Sequence, residues 1–221
     1  MFSKNALVAA VIILCFPSLA WADGSASIMS GGETTTVEFS GEKFLRMDAP
    51  EAGGYMLLRD DKLYSVAHEG DRVMVFDIAA ALKAMGGSAR QESFWDEDVV
   101  EVVSFENTGE NETVAGIRGE VYELQALNRE GKKQVSTLVL TEHPIVVELS
   151  AAMFRMSETL VNAIGDETPR SLLMMKDHII AKDKGILRQG EDFEIISITE
   201  NSPSAERFAL PAEPMKLPFG G

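Results

Sequence analysis

The sequence predicts an α+β fold: a curved antiparallel sheet, a half-barrel, wrapped around or covered by a few helices. Two observations lead there. Short, nearly alternating runs follow one another with only tight turn signals between them, which favours hairpins over crossovers. Later segments place apolar residues, many of them methionine, at helical spacing. The sequence shows no internal repeat and no low-complexity tract.

The chain opens with Lys4, an apolar run over residues 6–16, a break at Pro17-Ser18, and Ala20-Trp21-Ala22 with small residues at both ends. That is the three-part layout of a secretory signal peptide. The run is shorter than the roughly 20 residues that span a bilayer. Cleavage after Ala22 and a periplasmic mature chain are expected. Cys15 lies inside the run without the small residues that precede a lipid-modified cysteine, so no lipid anchor is expected. Residues 1–22 read as signal peptide and 23–33 as a flexible N-terminus. Residues 34–221 read as one α+β domain with an extended, proline-rich tail.

The mature chain would hold no cysteine, which excludes disulfides, thiol catalysis and cysteine–metal sites. The net charge of −15 becomes one unit more negative when Lys4 leaves with the signal peptide. Such a surface repels nucleic acid, whose binding rests on cations meeting phosphates. It also disfavours adsorption to anionic lipid. No second segment is long and apolar enough for a membrane span.

Strands are predicted over 35–39, 43–47, 55–59, 63–68 and 72–76, separated by Ser40-Gly41, Pro50, Gly53-Gly54, Asp60-Asp61 and Glu69-Gly70-Asp71. Several, such as Val73-Met74-Val75-Phe76, are apolar on both faces. Such a sheet is covered on both sides, or covered on one side and used for binding on the other. Asp77 is a candidate N-cap for a helix carrying Ile78, Ala81, Leu82 and Met85, which Gly86-Gly87 stops. More strands are expected over 99–106, 114–127, 135–141 and 145–149. Ser150 is then a candidate cap for a helix whose stripe is Met153, Met156, Leu160 and Ile164, ending at Gly165. Arg155 and Thr159 lie off that stripe. Thr168-Pro169 opens a second helix with Leu172, Met175 and Ile179 on one face. Strands over 185–188 and 193–199 flank Gln189-Gly190-Glu191-Asp192. The region from Pro203 through Pro211, Pro214 and Pro218 should run extended over the surface.

The candidate chemistry is sparse. Gly116-Ile117-Arg118-Gly119 has the G-x-x-G spacing of a nucleic-acid backbone clamp, but an acidic exported chain has no use for one, and no nucleic-acid partner is expected. Gly116 and Gly119 instead read as bends that let a long strand curl around a helix. His68, His143 and His178 show no metal-ligand spacing, and their convergence in space stays open. Acidic clusters at Asp60-Asp61, Asp96-Glu97-Asp98 and Glu191-Asp192 read as solvated turns. Neither a calcium-loop spacing nor a serine-hydrolase elbow is present. Met153-x-x-Met156 could present thioethers to copper(I), yet both lie on the apolar stripe, where packing is their ordinary use. No metal and no cofactor are expected.

The run Tyr55-Met56-Leu57-Leu58-Arg59-Asp60-Asp61-Lys62-Leu63-Tyr64, then Val73-Met74-Val75-Phe76-Asp77, then Thr113-Val114-Ala115-Gly116 with Gly119-Glu120-Val121-Tyr122, resembles an uncharacterised family of exported bacterial proteins, a domain of unknown function. The order of elements also resembles the half-barrel of periplasmic lipoprotein carriers, in which an antiparallel sheet curls around helices and encloses an apolar groove. That likeness is architectural and implies no catalytic residue. The leading reading is a non-enzymatic carrier for a lipid or acyl chain, with Met153, Met156, Leu160, Met175 and Ile179, set on one face of each helix by their spacing, pointing into the apolar groove. An envelope protein–protein interaction module is the alternative. A hydrolase with a hidden carboxylate site is the third reading.

Overall fold

The computed structural model describes residues 22–49, 53–70, 72–84, 99–165 and 168–215. Most of the expected signal peptide, Pro50, the expected helix stop at residues 85–87, the acidic residues 96–98 and Pro218 lie outside them. Six strands come first: β1 (Asp23–Ser30), β2 (Glu33–Ser40), β3 (Phe44–Ala49), β4 (Gly54–Arg59), β5 (Lys62–Glu69) and β6 (Arg72–Asp77). Helix α1 (Ile78–Ala84) follows, then β7 (Val99–Val114), β8 (Ile117–Asn128) and β9 (Lys133–Thr141). Helices α2 (Pro144–Ile164) and α3 (Arg170–His178) form one insertion before β10 (Gly185–Gln189) and β11 (Phe193–Thr199).

All strands among the described residues belong to one antiparallel sheet of eleven, in the order β6-β5-β4-β3-β2-β1-β11-β10-β9-β8-β7. The sheet is two meanders joined where β1 pairs with β11, from Ser25 opposite Thr199 to Ser30 opposite Phe193. Its edges are β6 and β7, and it is not closed. It is nonetheless curved. β7 and β11 approach within 8 Å Cα to Cα, although four strand spacings, about 19 Å in a flat sheet, separate them. The expected curved antiparallel sheet with packed helices is therefore present, with sheet predominating.

Three sequence readings need correction. Residues 23–33 are not a loose N-terminus, because β1 is paired on both sides, with β2 and β11. Its Gly-Ser-Ala-Ser composition reads as linker, but the small residues serve close packing. A Cβ on Gly24 would lie 2.7 Å from Ile145 Cδ1 on α2. Residues 145–149 are helix, not strand, and α2 starts at Pro144. A five-residue run led by three β-branched residues cannot show a helical period; burial of Ile145, Val146 and Leu149 against the core decides it. Ser150 therefore sits inside α2 rather than capping it, and its Oγ accepts the Ile186 N–H at 2.9 Å.

Gly116 is the third correction. It does not bend one long strand but reverses the chain between β7 and β8, with Ala115 at φ 50° and Gly116 at φ 79°. Positive φ at both central residues suits a two-residue hairpin turn. Gly119 stays within β8 as a point of close approach, where a Cβ would meet Val139 Cγ1 at 2.7 Å and Leu140 O at 2.8 Å. Other local readings hold. The Ala80 N–H donates to Asp77 Oδ1 at 3.0 Å, Gly165 ends α2 in the left-handed region, and Pro169 precedes α3.

The apolar residues divide into three clusters. The largest joins the sheet to α2 through Phe39, Leu45, Leu58, Val139, Ile145, Leu149, Met156 and Ile195. A second packs α3 onto Leu124, Leu138, Leu140 and Ile186. β9 alternates between the two, with Val139 in the first and Leu138 and Leu140 in the second, so it is buried on both faces. The third contains Tyr55, Leu57, Tyr64, Val66 and Val75, and the tail residue Phe208 covers it. Those strands are apolar on both faces because the C-terminal tail is the second cover. The Met215 N–H extends this by donating to Val75 O on the β6 edge at 2.8 Å.

Candidate functional site

The five expected groove residues do not converge. Met156 is buried in the large core, with Met153 and Leu160 half-buried against it. Met175 and Ile179 are buried in the second cluster, beneath α3. Met156 is 4% exposed, Met175 3% and Ile179 0%. These three side chains are packed, whereas Met153 and Leu160 stand at a margin.

Beside that margin a half-open cleft of about 310 Å³ lies between the β4–β5 turn, the start of α1 and the polar side of α2. Asp61, Asp77, Arg155, Glu158, Thr159 and Asn162 contribute to its lining. Asp61 reaches it from a tight turn in which Asp60 and Asp61 both have positive φ. Arg155 donates to Asp61 Oδ1 through Nη2 at 2.8 Å and Nε at 3.0 Å. Glu158 accepts from Arg155 at 3.4 Å and from Lys176 at 2.8 Å. Each charge in this chain of contacts has an opposite partner. The pairs bind the β4–β5 turn and α3 to α2, and they supply no unpaired acid or base. Arg155 and Thr159, set apart from the apolar stripe in the sequence, therefore share a polar cleft.

A second, shallower cleft of about 230 Å³ is lined by Asn111, Arg118, Glu120, Thr141, Glu142 and Lys184, among others. Lys184 Nζ lies 2.9 Å from Glu120 and 3.4 Å from Glu142. The Tyr122 hydroxyl also donates to Glu120, at 3.0 Å. Burial acts to lower the Lys184 pKa, but Glu120 and Tyr122 more than offset it and hold the ammonium above its ordinary range. The Lys184 hydrogen bond, aided by that of Tyr122, keeps Glu120 below the usual carboxylate range. A lysine held so firmly charged is an anchor, not a general base.

Arg188 on β10 grips Glu112 on β7 with two parallel hydrogen bonds, Nε at 2.9 Å and Nη2 at 2.7 Å. This fork geometry is the strong form of the contact. It joins strands three positions apart across the curl. The Arg188 hydrogen bond lowers the Glu112 pKa, against a smaller opposing effect of burial. A carboxylate with a lowered folded pKa contributes stability that is present above its unfolded pKa, near 4.3, and lost as pH falls through the folded value. Glu112→Gln should therefore lower the urea midpoint at neutral pH and leave it nearly unchanged at about pH 2. An equal loss at both pH values would exclude the ionic contribution.

The histidines are dispersed. His68 on β5 lies 6.5 Å from the Tyr55 ring, and His178 at the end of α3 lies 5.4 Å from Phe105. His143 precedes α2. Among the described residues, no three His, Cys, Asp or Glu side chains are grouped to hold a metal ion. Asp60-Asp61 and Glu191-Asp192 occupy turns.

One constellation escaped the sequence reading. On the face covered by the tail, the Arg46 guanidinium stacks 3.5 Å from the Tyr55 ring centroid and pairs with Asp48 at 3.0 Å. Arg207 of the tail reaches Glu38 at 2.6 Å, and Arg59 donates to Phe208 O at 3.0 Å. Arg46, Glu38 and Asp48 alternate along paired strands, a pattern visible in the sequence. Their partner Arg207 lies about 160 residues away, with no local signal to link it. Comparison with known proteins finds no matching family model, no similar curated protein and no similar solved structure.

Proposed function

We propose that the protein is an exported, non-enzymatic binding protein for an apolar ligand, a lipid or acyl chain, acting in the periplasm. One observation carries this reading. A large, unclosed, curved antiparallel sheet is covered on one face by α2, which forms a single insertion between neighbouring strands β9 and β10 together with α3 on the other face. Helix α2 can shift on its face without breaking the sheet's ladder. Met153 and Met156 lie on α2, and flexible thioethers adapt to varied apolar shapes. In this reading the described state is closed, and ligand would enter where Met153 and Leu160 stand half-buried.

The burial of Met156, Met175 and Ile179 favours a second reading. A filled core fits an envelope interaction module, whose partner would be another protein. Titration of the delipidated mature protein with a fluorescent fatty acid separates the two. Saturable binding, displaced by unlabelled fatty acid and weakened by Leu160→Asp, is the expected result. No binding of any acyl probe by correctly folded protein would defeat the carrier reading and leave the interaction module.

A further inference from the structure

Glu148 on α2 has a buried Oε1 with no hydrogen-bond partner. Among the described residues, two acidic charges act on it: Glu42, in the β2–β3 turn, and Asp23, the first residue of β1. Burial, and then these two carboxylates, push the Glu148 carboxyl above its usual range. A buried acceptor among like charges is destabilising unless a donor reaches it.

The strand register leaves one backbone nitrogen at the start of β1 without a ladder partner. The two-residue turn Gly31-Gly32 makes Ser30 and Glu33 a hydrogen-bonded pair, and such pairs alternate along an antiparallel ladder. Asp23 and Ser40 therefore form a non-hydrogen-bonded pair, and the Asp23 nitrogen points away from β2. On its other side, the pairing of β1 with β11 ends at Ser25 opposite Thr199. The pairing registers of the two neighbouring strands include no partner for that nitrogen. The next residue, Gly24, lies against Ile145, which is one helical turn before Glu148 on the same side of α2.

We propose that Ala22–Asp23 is a processing site and that Glu148 receives the α-ammonium it creates. A leader peptidase would add water across the Ala22–Asp23 amide. The C–N bond breaks, the added oxygen remains on Ala22 as carboxylate, and the Asp23 nitrogen leaves as an amine that takes up a proton. Before cleavage that nitrogen is a neutral amide. Afterwards it is a cation set beside Glu148, Glu42 and its own side chain. The new ion pair ties β1 to α2, so the mature fold tightens only once the leader has gone. This inference rests on the leader reading and is independent of what the protein binds.

The test uses mature protein from the exported fraction. Amino-terminal sequencing should begin at Asp23. The α-amine, reductively methylated with ¹³C-formaldehyde and titrated by NMR, should show a pKa about one unit or more above the ordinary 7.7–8.0. Glu148→Gln should return it toward that range, and Glu42→Gln should do so in part. Acetylating the α-amine should lower the melting temperature of the natural protein but not of Glu148→Gln. A different first residue, an ordinary α-amine pKa, or a melting temperature indifferent to acetylation would each overturn the proposal. If Glu148→Gln does not fold, the α-amine pKa of the natural protein and the partial effect of Glu42→Gln still decide it. Fatty-acid binding plays no part in these readouts, so their failure and that of the carrier reading are distinguishable.

Discussion

Gly185→Ala should cost about 3 kcal/mol or more, at the upper end of what overpacking costs in a filled interior. Gly185 begins β10 directly against the first turn of α2. A Cβ there would lie 2.5 Å from both the carbonyl carbon and the oxygen of Val146, and 2.6 Å from the nitrogen of Val147. These are backbone atoms, which cannot turn aside as a side chain can. Relief requires moving β10 from α2, and that strains the hydrogen bond between the Ile186 N–H and Ser150 Oγ. It also loosens Ile145, Val146 and Leu149, all buried in the large core. For a chain of this size each kcal/mol lowers the melting temperature by about 2–4 °C, so a fall of roughly 6–12 °C is expected. Val135→Ala, at an exposed strand position, is the control and should stay within about 0.5 kcal/mol. A Gly185→Ala protein melting with the control would mean that β10 and α2 are not so closely apposed.

Ile179→Ala and Met156→Ala should each cost about 2–5 kcal/mol in denaturant melts, the usual range for a buried side chain cut back to alanine. Ile179 follows α3 and is wholly buried among Leu138, Leu140, Met174 and Ile186. Met156 lies beneath α2 in the large core. The cost combines lost transfer energy with the cavity left behind. Met153→Ala, half-buried at the cover's margin, should cost clearly less. This ordering bears on the proposed function. In a permanently packed core the truncated proteins lose stability alone. Under a movable α2 the Met156→Ala protein also releases or admits acyl probe more readily, because the closed state loses contacts that the open state never had. A Met153→Ala cost equal to that of Met156→Ala would remove the distinction between margin and core on which ligand entry depends.

Much of the architecture was legible locally. The run of turn-separated strands, the α1 start at Asp77, the left-handed stop at Gly165 and the bounds of β11 depend on interactions within a few residues, and these the sequence states directly. Residues 145–149 misled because a short run led by β-branched residues has no period of its own. Residues 23–33 misled because small polar residues mark both a linker and a strand that must lie close beneath a helix. The helical spacing of the groove candidates marks apolar faces, but such a face says only that something covers it. It does not say that α2 and α3 cover different clusters.

By itself, then, the sequence determined the antiparallel hairpins, the helix faces, the strongly acidic charge and the expectation of export, all properties of neighbouring residues or of the whole composition. The tertiary structure alone decided that β1 and β11 meet mid-sheet, that the sheet curls until Arg188 reaches Glu112, and that the tail lays Phe208 over Tyr55 and Leu57. These contacts join residues far apart in the chain. Their free energy comes from burial and charge pairing that exist only once the chain has closed on itself, so no local pattern encodes them.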